Sequence, residues 1–287
     1  MASVVRLISF PGTAILMRVG RELTAAETEA YLRDLAYTNE YDFALDLQSI
    51  VEANAVAAMH VIRTIEASSY DSMLTPTARR DATREANRAL INFLTSMRLI
   101  LDHMQTRLTR HYGKNSPLAD AFRRVTATVH DRSRPYRVLY NMRNYTQHCG
   151  MPIREVTVDA KQVEGAIVRR VAVACDVQTM LDRFSDWRFA KPDLELLRPA
   201  FAIGPFVAEV VKNLVEISDE LRALEITEVR DATERVVTLI REAAGSDPKG
   251  AVVDVVTDAN KSQFRFLVPA ERLLQQLGHD ASIVGRV

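Results

Sequence analysis

LINFLTSMRLILDHMQTRL, Leu90 to Leu108, is the stretch whose reading decides the fold. Leu90, Leu94, Met97, Leu101, Met104 and Leu108 recur at alternating steps of four and three, which puts all six on one seam of an α-helix. A seam of that length calls for antiparallel helical partners or a second subunit. Upstream, Thr75-Pro76 supplies an N-cap and a proline at the first helical position, and Gly113 is a natural terminator. The spacing predicts one helix to about Tyr112. Asp102 and His103 lie beside the seam, where they either face a polar cavity or, the favoured reading, are an exposed or helix-paired acid and imidazole.

The neighbouring segments carry the same pattern. From about Phe43 to Ala67, Leu47, Val51, Asn54, Ala58, Val61 and Ile65 form a second seam, in which Asn54 is the single polar member and reads as a packing or register device. Thr24 followed by Glu27 is a capping-box pattern for a helix to about Tyr37. Ser116-Pro117 opens a helix to about Asp131, and Pro135 fits the first turn of the next, which is expected to end at Gly150 or Pro152. Ile203 to about Ala244 is helical, with a change of apolar phase that predicts a kink or turn near Glu225 to Glu228.

Short β-leaning runs flank the helices. Val4 to Phe10 and Thr13 to Met17 suggest a small hairpin or irregular cap around Pro11-Gly12. Arg154 to Asp159 and Ala166 to Ala174 read as strands joined around Gly165, and Ala251 to Val256 with Gln263 to Val268 as a second hairpin after a loop from Gly245 to Gly250. Asp176 is a cap for a short helix to about Phe184; Trp187 and Phe189 are expected to anchor a loop containing Pro192, and Pro269 to open a closing helix to about Leu277. The expected class is mainly α, a helix-dominated α+β fold: an antiparallel helical bundle with a small antiparallel β element in the C-terminal half. Four of the strands, in two hairpins, are candidates for one sheet. The domain reading is a bundle over 1–152, then 153–287 with hairpins and long helices packed on it.

With 287 residues, 47% hydrophobic and 26% charged, the chain can bury a large core. Lys+Arg and Asp+Glu are both 37, so no global basic field draws in nucleic acid, and any polyanion site has to be a local patch. Cys149 and Cys175 make no CxxC pair and no disulfide framework, which favours a reducing cytoplasm. The first ten residues lack a signal-peptide apolar region, and no apolar run reaches the roughly 20 residues that span a bilayer. A cytoplasmic protein with no membrane role is expected.

Motif exclusion narrows the chemistry. Leu108 stands where a phosphate loop ending in Gly113-Lys114 would need glycine, and GxGxxG, GxSxG and HExxH do not occur. The six histidines, His60, His103, His111, His130, His148 and His279, never fall four apart, so no helical zinc pair is expected, and no metal or other cofactor.

What is left is Arg143-Asn144-Tyr145-Thr146-Gln147-His148, followed by Cys149-Gly150-Met151-Pro152. Asn144 and His148 share a helix face, as do Arg143 and Gln147, whereas Arg143 and His148 lie about 140° apart at about 100° per residue. Histidine titrates near neutral pH and can take a proton from a ribose 2′-hydroxyl or give one to a leaving 5′-oxygen. Arginine can hold two phosphate oxygens while negative charge builds on phosphorus. From Arg123 to Arg143 the chain holds six arginines against one acid, Asp131, either a solvated face or a track for a phosphate backbone.

Carried on a helix after long helices, this motif resembles the R-x4-6-H signature of the HEPN superfamily, in which a polar residue often follows the arginine. The resemblance implies a helical bundle that dimerises so that two motifs line one cleft, and metal-independent RNase activity in toxin–antitoxin, abortive-infection or other defence systems. By that resemblance His148 is the acid/base, Arg143 the phosphate and transition-state contact, and Asn144 the orienting group. Arg134, Arg137, Tyr145 and Gln147 are the expected substrate contacts. RNA, a second copy of the chain and an antitoxin or defence protein are the expected partners. Some relatives carry a tyrosine two residues after the histidine that a partner nucleotidyltransferase modifies; here that position is Gly150, so that mechanism is not carried over.

Two other readings stand beside the ribonuclease. In one, a helical interaction or sensing protein binds a nucleotide or phosphate at Arg143 and His148 without cleaving it. In the other, Arg143, Asn144 and His148 form a buried hydrogen-bonded network that caps the helix. A single copy of the motif is expected to be half a site.

Overall fold

The computed structural model describes residues 2–11, 17–163, 166–247, 249–258 and 261–285. It is a helix-dominated α+β fold, with β1 (Ala2–Phe10), β2 (Arg18–Glu22), α1 (Ala25–Glu66), α2 (Pro76–Tyr112), α3 (Pro117–Arg132) and α4 (Arg134–His148) in its first half. There follow β3 (Thr157–Val163), β4 (Ala166–Ala172), β5 (Ala174–Asp176), α5 (Val177–Arg183), α6 (Ala190–Glu195) and β6 (Ala200–Ala202). The 42-residue α7 (Ile203–Ala244), β7 (Lys249–Asp258), β8 (Lys261–Leu267) and α8 (Glu271–Gln276) complete it. No helix among the described residues is long and apolar enough to cross a membrane.

By its contacts the chain forms two compact units, Asp46–Arg222 and Met1–Leu45 with Ala223–Val287. The boundary read from the sequence at residue 152 is a different cut. The bundle of the Asp46–Arg222 unit is built on the α2 seam: Leu90, Leu94, Met97, Leu101, Met104 and Leu108 are all buried in one core with Phe122, Val129, Leu139, Met142 and Trp187. From α1 that core takes Leu47, Val51, Ala58 and Ile65 of the expected seam, with Ala55 and Ile62 beside them, while Asn54 is half-buried. The caps act as the sequence predicts, Thr75 accepting from Ala78 N and Ser116 from Ala119 N, each at 3.2 Å with proline next in the chain.

The other unit joins chain ends that no local reading connects. β1 pairs antiparallel with both β2 and β7, giving a sheet of order β2-β1-β7-β8. Val5, Leu7, Tyr31, Leu35, Val236, Val237, Ile240, Val252 and Leu274 close its core, and the Tyr31 hydroxyl donates to Leu267 O at 2.6 Å. At Gly250 a Cβ would collide with the Ile240 carbonyl and the Ala244 amide, so β7 starts against α7 only because that residue is glycine.

Several expectations are corrected. The strand after β1 is Arg18–Glu22 rather than Thr13 to Met17, of which residues 13–16 lie outside those described. The two expected hairpins do not share a sheet: β3 and β4 pair only with each other, in register Thr157↔Ala172, and their turn at 164–165 lies outside the described residues. The β element is not confined to the C-terminal half, since β1 and β2 supply half of the four-stranded sheet.

α1 is one 42-residue helix, not two segments, because residues 38–42 contain neither glycine nor proline and Thr38, buried, turns its hydroxyl back onto Leu35 O. α7 is likewise uninterrupted at Glu225 to Glu228. Its buried residues up to Leu221 belong to the core of the Asp46–Arg222 unit, and Val236, Val237 and Ile240 to the core of the other. Pro192 sits inside α6 rather than in a loop, and of its two expected anchors Trp187 is buried but Phe189 is 75% exposed.

Candidate functional site

Ser133 positions α4. Its hydroxyl accepts from Tyr136 N at 3.3 Å and from Asn213 Nδ2 at 2.8 Å, which fixes the helix start against α7 within the Asp46–Arg222 unit. Tyr136, Val138, Leu139, Asn141, Met142 and Tyr145 form its buried face. That phase decides which motif residues reach solvent.

His148 and Gln147 come out exposed on the last turn, and neither makes a hydrogen bond within the described residues. Arg143 and Asn144 are half-buried. Arg143 Nη1 lies 3.5 Å from Asn144 Oδ1, at the limit of a hydrogen bond, and Arg143 Nε is buried with no partner. His148 bonds to neither, so the three do not form a capping network. The helix end is closed instead by its backbone, Cys149 N donating to Tyr145 O at 2.8 Å.

Tyr145 belongs to the core and not to a substrate surface. Its ring is fully buried, stacked on Trp187 with centroids 5.6 Å apart and edge-on to Phe184. Burial raises the pKa of its hydroxyl, which has no hydrogen-bond partner and stays a neutral phenol. The reason is spacing: 142 and 145 continue the buried face begun at 138, which the choice of polar motif residues by type ignored.

Arg137 is also structural. Its Nε and Nη2 grip the Asp193 carboxylate at 2.6 and 3.1 Å, while Nη1 donates to the carbonyls of His130 and Asp131 at 2.7 Å. The bond to Asp193 raises the Arg137 pKa further, so the guanidinium is permanently charged and fully engaged. Arg134, about half exposed, lies 3.6 Å from the same carboxylate. Elsewhere in the arginine-rich run Arg123 pairs with Asp120 and Arg132 with Glu216, so most of it is a salt-bridged face.

The chain leaving α4 forms one wall of an open groove of about 590 Å³, which the sequence reading missed. Five arginines line it: Arg80, Arg84 and Arg88 from α2, Arg154 from the segment before β3, and Arg183 from α5. Ile91 and Met151 add an apolar part to the lining. Buried Asn87 fixes that wall, donating to Ile153 O at 2.7 Å and accepting from Ile153 N at 3.2 Å, while Thr83 accepts from Val156 N at 2.9 Å. All lining residues belong to the Asp46–Arg222 unit.

No protein-family model matches the chain, no curated protein matches it significantly in sequence, and no solved structure matches it significantly in fold. The HEPN resemblance therefore rests on the Arg143–His148 motif and its helical setting. Among the described residues no group of three or more His, Cys, Asp or Glu side chains is placed to hold a metal. Cys175 is fully buried and its thiol pKa is pushed up by that burial, which makes it an inert core residue.

Proposed function

We propose that the protein is a HEPN-like endoribonuclease that cleaves RNA without a metal, working as a homodimer in a toxin or defence system. The observation that carries this reading is His148: an imidazole presented to solvent at the end of a well-anchored helix, spending neither ring nitrogen on the fold. Arg143, half-buried on the same helix, supports it with a guanidinium whose one side-chain bond is the 3.5 Å approach of Nη1 to Asn144 Oδ1. In the reaction the ribose 2′-oxygen attacks phosphorus as its proton passes to one imidazole. The bond to the 5′-oxygen breaks, and a proton supplied by the second copy of His148 completes the leaving hydroxyl. Arg143 balances the charge on the phosphoryl oxygens. Asn144 and Gln147 sit beside the pair to orient RNA, and Arg134, at the start of α4, shares the Asp193 carboxylate with Arg137 and so keeps charge for a phosphate.

A second reading, binding of a nucleotide or phosphate without cleavage, is favoured by the single-chain geometry, in which Arg143 and His148 stand on different faces of α4. Purified protein incubated with RNA in excess EDTA separates the two. Fragments ending in 2′,3′-cyclic phosphate support the ribonuclease, and RNA retained intact supports the binding protein.

A further inference from the structure

We infer that the arginine groove beside the end of α4 is a binding site for a nucleoside di- or triphosphate. Arg80, Arg84 and Arg88 repeat every four residues, so they project from one face of α2, and Arg154 and Arg183 approach from two other segments. Among the described residues, three of the five have acidic partners: Arg84 with Asp81 at 3.0 Å, Arg88 with Glu85, and Arg154 with Asp176 at 3.6 Å. Arg80 and Arg183 have none. Five arginines against three acids leave two positive charges converging on one groove, which suits a pyrophosphate better than a single carboxylate.

The remaining lining matches the other end of such a ligand. Ile91 and Met151 offer an apolar edge, and Met151, 56% exposed, is an adaptable side chain. The volume falls within the ~300–1,000 Å³ usual for small-ligand clefts. A compact ligand fits better than an extended strand, because all five arginines line one cleft of about 590 Å³. This inference concerns a residue set separate from Arg143 and His148 and does not depend on cleavage at His148.

The test is isothermal titration of the full chain with ADP, GDP, CDP and UDP, with pyrophosphate, adenosine and a single-stranded RNA oligonucleotide as comparisons. At least one nucleotide is expected to bind one per chain, more tightly than pyrophosphate or adenosine and more weakly as salt rises. Arg80→Ala and Arg183→Ala are each expected to weaken it about tenfold, the worth of one charge-assisted hydrogen bond. Both side chains are exposed, so an unchanged melting curve verifies the fold of each variant. The inference is overturned if no nucleotide binds at millimolar concentration, if the arginine variants bind as wild type, if pyrophosphate binds as tightly as every nucleotide, or if only RNA is lost in the variants.

Discussion

Arg137 and Asp193 meet through two near-parallel hydrogen bonds, Nε to Oδ2 at 2.6 Å and Nη2 to Oδ1 at 3.1 Å, with 18% and 11% of their side chains exposed. This pair ties α4 to α6. Removing one partner leaves the other charge largely desolvated, so Asp193→Ala and Arg137→Ala are each expected to cost about 2–4 kcal/mol in urea unfolding, below the cost of a fully buried pair because some solvent reaches both. An arginine acting only on RNA would leave the unfolding midpoint in place.

The Tyr145 hydroxyl is buried without a partner, so Tyr145→Phe is expected to be neutral or to stabilise by up to about 1 kcal/mol, with RNA cleavage unaffected. A loss of activity at unchanged stability would return Tyr145 to the site.

Gly150 follows from the same packing. A Cβ there would sit 3.1 Å from Tyr145 Oη, and the tyrosine is pinned by Trp187, so Gly150→Ala is expected to cost about 1 kcal/mol. The cost should fall in the Tyr145→Phe background, and a double-mutant cycle in chemical unfolding measures that coupling.

Glu27 gives a pH dependence with a definite sign. The side-chain bond from Arg21, then the backbone and hydroxyl bonds from Thr24, lower its pKa to about 2. A carboxylate with a depressed folded pKa stabilises above its unfolded pKa and loses that contribution as pH falls through the folded one. The thermal stability gap between wild type and Glu27→Gln should therefore be full above about pH 4.5 and close towards pH 2. A gap that stays constant across that window would place the stabilisation elsewhere.

The helices were readable because caps and seams are local. Thr24 and Glu27 do bond reciprocally, and all six seam residues of α2 are buried. What escaped needs distant partners: β1 finds β7 some 250 residues away, and Arg21 braces the capping box through Glu242. The phase change in α7 was visible, but a switch between two cores leaves the same trace as a turn. In the site, exposure of His148 follows from helical phase, and so does burial of Tyr145, whose position continues the face of Val138 and Met142 although its hydroxyl marks it as polar. The Arg80, Arg84 and Arg88 stripe was there to be read at its spacing of four; Arg154 and Arg183 join it only through folding.

The most direct test compares RNA cleavage in excess EDTA by wild type and His148→Ala, with melting curves of both. His148 is exposed and makes no hydrogen bond in the described residues, so its loss should leave stability within about 0.5 kcal/mol. Cleavage should fall by about 10²–10⁴-fold, the usual worth of a general acid–base group. Wild-type protein that leaves RNA intact, or a His148→Ala variant that cleaves as fast as wild type, contradicts the account.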